Sequence, residues 1–261
     1  MKISIFIQVR NRVPCRTISG FYSEYKVLMN FRDKLNVIIP LYNPHDGWEN
    51  RFIDSISELR NELNETVLTV ILVNDGSTIQ INNIKRITDR FSFLKYYSYP
   101  VNMGKGYAIR YGVNVSDADF YVYTDIDFPF GYQIISQTYR ILKSSKTNIV
   151  IGLRDLSYFS MLPLERRIYS FLLKELNYFI TGFKIKDTQA GLKGLDNKAR
   201  KVLAETKINT FLFELEFLKN SLKQGLTYEF INVRCGPRLK FTNFRFRILL
   251  KETINLLKLL K

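Results

Sequence analysis

The sequence predicts an α/β fold with a mostly parallel sheet and helices packed against it. Three observations carry this. Short continuous apolar runs end in turn-forming residues, as strands buried on both faces do. Apolar residues at helical spacing separate those runs. The connections are short, so strand alternates with helix in the pattern of βαβ units.

The elements follow in order. LNVIIPL (35–41) is an apolar run closed by Pro40 and Asn43, and reads as the first strand. Phe52, Ile56, Leu59 and Leu63 then recur at helical spacing. VLTVILVNDGS (67–77) is a second buried strand running into a turn. Ile84, Ile87 and Phe91 suggest a helix, and LKYYSYP a short strand. NMGKGYAIRYG opens as a Gly-rich turn and continues as a helix. FYVYTDID is the next strand, followed by a helix near 131–145 and the strand NIVIGL. Leu164, Ile168, Phe171, Leu172 and Phe179 outline a further helix, which carries Arg166 and Arg167. DTQAGLKGL (187–195) reads as a polar turn entering a small-residue strand. FLFELEFLKNSLKQG is a helix stopped by Gly225, and LTYEFINV is a strand. Sheets of this kind bind ligands beyond the carboxyl ends of their strands. The clusters YNPHDG, NDGS and DID all follow apolar runs, so they are expected to converge on one crevice.

Composition narrows the class. A 261-residue chain, 46% hydrophobic and 24% charged, suits one sizeable globular domain with appendages. The net charge of +15 is concentrated at the ends. Residues 1–34 carry seven Lys/Arg against two acids, and residues 234–261 carry eight against one, leaving only +3 between them. Basic ends on a nearly neutral body point to an anionic surface or ligand. Cys15 and Cys235 make no metal-ligand spacing and read as reduced thiols. A lone His45 argues against zinc. No apolar run reaches the roughly 18 residues of a spanning helix, and MKISIFIQVRNR does not read as a signal peptide.

In TDIDFPF (124–130), Asp125 and Asp127 stand one residue apart at a strand end. Hard oxygen donors without His or Cys suit Mg²⁺ or Mn²⁺ held against a diphosphate. Lys105 between two glycines at a helix start can set a cation and backbone N–H groups near phosphate. Asp75 can accept hydrogen bonds from a base or ribose. Taken singly, each of these also reads as an ordinary surface turn.

Together, IIPLYN, VNDGS, NMGKGYAIRYG, TDIDF, GLRD and DTQAGLKG closely resemble glycosyltransferase family 2. The resemblance covers about 35–240. It is nearest to the dolichyl-phosphate glucosyltransferase and mannosyltransferase branch with its polyprenyl-phosphate relatives, to which DTQAGLKG and the Arg166 to Ser170 spacing are specific. It implies a GT-A fold, the Rossmann-like fold of nucleotide-diphospho-sugar transferases. It also implies an inverting transfer from a UDP- or GDP-linked sugar with a divalent metal. Carried over by position, Pro40, Tyr42, Asn43 and Asp75 would hold the nucleoside, and Lys105 would lie near the donor. Asp125 and Asp127 would bracket metal and diphosphate, and Asp187 would lie near the sugar and acceptor. Glu214 and Glu216 match acids of the family's following helix, or else face solvent. The chain departs from the family at Asn74, often a first aspartate, and at Pro44, usually glutamate. HDGW lengthens that loop. Pro129 stands where many mannosyltransferase relatives have a metal-binding glutamine, and Leu192 replaces a phenylalanine.

The acceptor follows from charge. A phosphate monoester is largely ionised at neutral pH and needs cations to place it more than a base. Arg154, Arg166, Arg167, Arg234, Arg238 and Lys240 supply them, with Arg154 and Arg234 favoured because each follows a strand. Charge thus favours an anionic acceptor, which the resemblance implies is polyprenyl or dolichyl phosphate. The alternative is a saccharide hydroxyl in cell-surface glycan synthesis, for which Asp187 would serve as base. A nucleic-acid-binding module is a remote third reading, since no binding motif accompanies the charge. The expected organisation is an N-terminal extension (1–34, poorly ordered), a catalytic domain (35–236) and a basic amphipathic C-terminal helix (237–261). That helix would hold a cytoplasmic protein peripherally at the cytoplasmic face of an anionic membrane.

Overall fold

The computed structural model describes residues 32–155 and 190–234, with a few positions between 167 and 185. The expected N-terminal extension, apart from residues 32–34, and the C-terminal helix lie outside the described residues. All the elements below belong to the unit Asp33–Lys261.

Among the described residues thirteen elements occur in order. They are β1 (Lys34–Leu41), α1 (Trp48–Glu62), β2 (Val67–Asp75), α2 (Ile84–Arg90), β3 (Leu94–Tyr99), α3 (Lys105–Asn114) and β4 (Phe120–Tyr123). Then follow α4 (Gln133–Ser144), β5 (Ile149–Arg154), β6 (Lys193–Asp196), α5 (Asn197–Ala204), α6 (Phe213–Lys223) and β7 (Tyr228–Val233). The seven strands form one sheet in the order β3-β2-β1-β4-β6-β5-β7. β6 runs antiparallel to β4 and β5, and every other pairing is parallel.

Alternation along the strands feeds two faces. Leu35, Val37, Ile39 and Leu41 of β1 join Leu68, Val70 and Leu72 of β2 under α1 and α4. Ile38 points the other way, to α3, α5 and α6. Helices cover both faces, which is why these strands are continuously apolar.

The chain winds from β1 out to β2 and β3, then returns across to β4 on the other side of β1. Such a reversal opens a crevice at the carboxyl ends of the two central strands. β1 outruns its neighbour there, because its pairing with β4 ends at Ile38↔Tyr123. Pro40 lies beyond that point, so its missing N–H costs no ladder bond to β4.

Candidate active site

The loops after β1 and β2 form one wall. Asn43, at φ 43°, donates its backbone N–H to Ser77 Oγ at 2.9 Å. Its Oδ1 accepts from the Thr78 N–H at 2.8 Å. Asparagine tolerates this left-handed conformation better than most residues. Tyr42 beside it is 48% exposed, leaving its ring available to a ligand.

Asp75 closes β2 and is almost fully buried. Its carboxylate accepts from Tyr99 Oη and the Met103 N–H, both at 2.8 Å, and from Asn102 Nδ2 and the Gly104 N–H, both at 2.9 Å. These donors fill a carboxylate's acceptor capacity. Asp75 thus fastens the turn that delivers α3 to the crevice, and the nucleoside contact expected of it would have to compete with these donors. Asn74 is likewise engaged, donating to Tyr96 Oη and Ser98 Oγ. The turn is pinned from the other side by Gly106 N–H, which donates to Asn209 O at 2.8 Å. Gly104 (φ +101°) lies so close to Asn209 O that no side chain fits there.

Lys105 opens α3, and its Nζ lies 2.6 Å from Asp125 Oδ1. Burial works against the ammonium, but the charges of Asp125, Glu214 and Asp127 outweigh it and hold its pKa above the usual lysine value. β4 ends at Tyr123, so the two aspartates sit in a turn closed by Phe128 N–H on Asp125 O at 3.1 Å. Phe128 is itself left-handed at φ 45°, with its ring buried near Phe52. As residues i and i+2 the two acids would share one face of an extended strand, and in the turn they stay close enough for Asp127 to feel the Asp125 charge. Burial, then the Asp125 charge, push the Asp127 carboxyl above its usual pKa, against the pull of Arg51 and Lys105.

Gly191, at φ +70°, closes the far side of Asp125: a Cβ there would stand 2.5 Å from Asp125 Oδ2 and 3.6 Å from Lys105 Nζ. Beneath lies a second pair, Lys193 Nζ to Glu214 Oε2 at 2.9 Å, with side chains 0% and 4% exposed. Lys193 Nζ also sits 5.9 Å from the Tyr123 ring centroid. Burial, and then the Glu214 charge, raise the Tyr123 phenol well above its usual pKa. Yet Tyr123 Oη and Glu214 Oε1 are both buried without a hydrogen bond of ordinary geometry. Glu216 is buried too, and its carboxylate accepts from the Lys207 and Ile208 N–H groups. Neither acid faces solvent.

Comparisons with known proteins decide what this arrangement belongs to. Residues 36–203 match the sequence model of glycosyl transferase family 2. The chain belongs to that family. It is 24% identical over 276 residues to a dolichyl-phosphate beta-glucosyltransferase of Trichomonas vaginalis, covering 99% of this chain and 81% of that protein. An uncharacterised protein of Methanocaldococcus jannaschii is 22% identical over 209 residues, 78% of this chain and 82% of the other. Among solved structures, glucosyl-3-phosphoglycerate synthase of Mycobacterium tuberculosis, in complex with Mn²⁺, UDP and glucosyl-3-phosphoglycerate, superposes with a TM-score of 0.60. Identity there is 16%, over 96% of this chain and 85% of the other. The fold is GT-A, and the family 2 chain is a glycosyltransferase near the dolichyl-phosphate branch.

In this family 2 transferase, Pro40, Tyr42, Asn43, Asp75, Lys105, Asp125 and Asp127 gather around the β1–β4 crevice. Arg154 ends β5, and Arg234 follows β7 on the same edge, with its Nε 3.6 Å from Asp155 Oδ2. Asp187 and Arg166 lie outside the described residues. Among the described residues no three His, Cys, Asp or Glu side chains converge as a ready-made cation cage. The two acids nevertheless suit a divalent cation that keeps waters and shares a diphosphate. They are close enough to repel, and Asp125 already draws a cation to 2.6 Å. Sequence reading alone did not single out Arg51, Gly191 or the Lys193–Glu214 pair. For the pair, the available signal was an acid inside the apolar run FLFELEFL and a lysine among the small residues of AGLKG.

Proposed function

We propose that this chain transfers a sugar, with inversion, from a UDP- or GDP-linked donor to a polyprenyl phosphate such as dolichyl phosphate, using Mg²⁺ or Mn²⁺. The observation that carries the reading is one sheet edge with two charged stations. Lys105 and Asp125 lie at the end of β4, and Arg154 and Arg234 lie at the ends of β5 and β7. β5 is two strand spacings from β4, roughly 10 Å, so a sugar fits between the stations.

Asp125 and Asp127 would hold the cation, which when bound offsets charge building on the leaving nucleoside diphosphate. Lys105 adds a fixed positive charge at the donor phosphates. Tyr42 and Asn43 present a ring and an amide to the nucleoside. Arg154 and Arg234 orient the acceptor phosphate, whose oxygen is already largely anionic at neutral pH. Asp187 is assigned to the sugar and acceptor side, four residues from the Gly191 that touches Asp125. Among the described residues no helix is long and apolar enough to cross a membrane. The basic C-terminal segment would bring the enzyme to an anionic bilayer surface, where a lipid acceptor resides.

Incubating the full chain with Mn²⁺ and a panel of UDP- and GDP-sugars, with and without a polyprenyl phosphate, tests this. Nucleotide release that requires the lipid phosphate is the expected result. Release with oligosaccharides alone overturns it.

A further inference from the structure

The first turn of α3, which places Lys105, has no side-chain cap of its own. Its Gly106 N–H is taken instead by the carbonyl of Asn209, at 2.8 Å. Asn209 belongs to the segment between α5 and α6, residues 205–212. That segment presses on the turn so closely that a Cβ on Gly106 would lie 2.7 Å from Ile208 O. Lys105 is thus held between two supports: Asp75 on one side, through the Gly104 N–H, and Asn209 on the other.

What fixes Asn209 is Arg110, one helical turn beyond Gly106 on the same face of α3. Its Nη1 donates to Ile208 O at 2.7 Å and to Thr206 Oγ1 at 3.2 Å, and its Nη2 donates to Asn209 Oδ1. A planar fork serves three acceptors on one segment at once, whereas an ammonium is a single point charge. From the other side Glu216 accepts from the Lys207 N–H at 3.0 Å and the Ile208 N–H at 2.8 Å. Burial lowers the Arg110 pKa, and the Glu216 charge is the first of those opposing it. The two anchors divide the segment between them. Glu216 holds residues 207 and 208, so one anchor remains without Arg110. Arg110 sets the far end, at Asn209, where the contact with α3 is made.

We propose that Arg110 is a positioning residue for the transfer. By fixing the Asn209 carbonyl on the Gly106 N–H, it sets where Lys105 stands at the donor diphosphate. Its role is exerted through Lys105 and requires no contact with the donor. This rests on the reading of Lys105 as a cation at the donor phosphates.

The test is calorimetric titration of the full chain with UDP plus Mn²⁺ and, separately, with GDP plus Mn²⁺, which requires no turnover. Arg110→Met is expected to bind the parent's nucleotide about tenfold more weakly. Arg110→Lys keeps the charge opposite Glu216 but loses the fork, and should show most of the same loss. In a Lys105→Met background Arg110→Met should cause no further loss, because it acts only through the lysine. Losses that add in the double variant, with a lowered Tm, mark a merely structural role and overturn the proposal. Full rescue by Arg110→Lys overturns it too. Should Arg110→Met fail to fold, Asn209→Ala decides, since it removes only the amide that Arg110 Nη2 holds. A loss of about two- to threefold that vanishes in the Lys105→Met background supports the proposal, and unchanged affinity overturns it. Binding that Lys105→Met weakens but Arg110→Met leaves unaltered sinks the positioning role while the donor reading stands. Absence of binding by the unmutated chain, or binding indifferent to Lys105→Met, sinks both.

Discussion

Lys193 Nζ and Glu214 Oε2 lie 2.9 Å apart in a pair almost wholly removed from water, 21 residues apart in sequence. The pair ties the first residue of β6 to the first turn of α6. Removing one partner strands the other charge, and Lys193→Met should destabilise the protein by about 3–5 kcal/mol. Replacing both, as in Lys193→Met with Glu214→Leu, should recover most of that. Urea unfolding of the two variants measures it, and a single variant within about 1 kcal/mol of the parent would contradict the burial described.

Gly191 allows Asp125 its position. Gly191→Ala places a methyl against Asp125 Oδ2 in a backbone conformation that side chains rarely adopt. The strain should cost about 1–2 kcal/mol of stability. Displacing the carboxylate should cost roughly 100-fold in kcat. Turnover by a variant still folded at the assay temperature, compared with its Tm, separates the two effects.

Arg234 is 90% exposed on its side chain, so Arg234→Ala should change stability by no more than about 0.5 kcal/mol. If it guides the acceptor phosphate, KM for a polyprenyl phosphate should rise roughly tenfold while KM for the donor stays put. Steady-state kinetics varying each substrate in turn distinguish this from a general loss.

Acid stability should depend on Asp33. Its Oδ2 accepts from Tyr139 Oη at 2.9 Å and meets Lys143 Nζ at 2.8 Å. Burial alone would raise this carboxyl, but those bonds prevail and hold its pKa below the usual value. A lowered folded pKa means that the stabilisation is complete above the unfolded value of about 3.9 and disappears as pH falls through the folded one. Denaturation midpoints of the parent and Asp33→Asn should therefore differ at neutral pH and converge as pH falls through the folded value.

The parallel half of the sheet is legible in the sequence because LNVIIPL and VLTVILVND are apolar without interruption, which two-sided burial demands. The aspartate pair is legible because an acid cluster directly after such a run falls at the ligand-binding edge. β6 is harder to read. KGLD has four residues, and its antiparallel setting comes from pairing with β4 and β5 rather than from any local pattern. Local sequence says little about the burial of Lys193 and Glu214, because each tolerates the interior only through the other. Asp75 reads as a ligand-facing acid at a strand end, while its four donors come from residues 99–104, brought to it by the β2–β3 pairing.

The reversed direction of β6 has a consequence for how the enzyme can diversify. Because β5 finishes, and β6 begins, at the rim that carries Asp125, the chain between Arg154 and Lys193 departs from and returns to the catalytic mouth. That stretch can be lengthened, shortened or exchanged with a homologue's while every strand keeps its neighbours. Were the proposed role of Asp187 on the acceptor side to hold, acceptor preference would be open to grafting without redesign of the scaffold beneath.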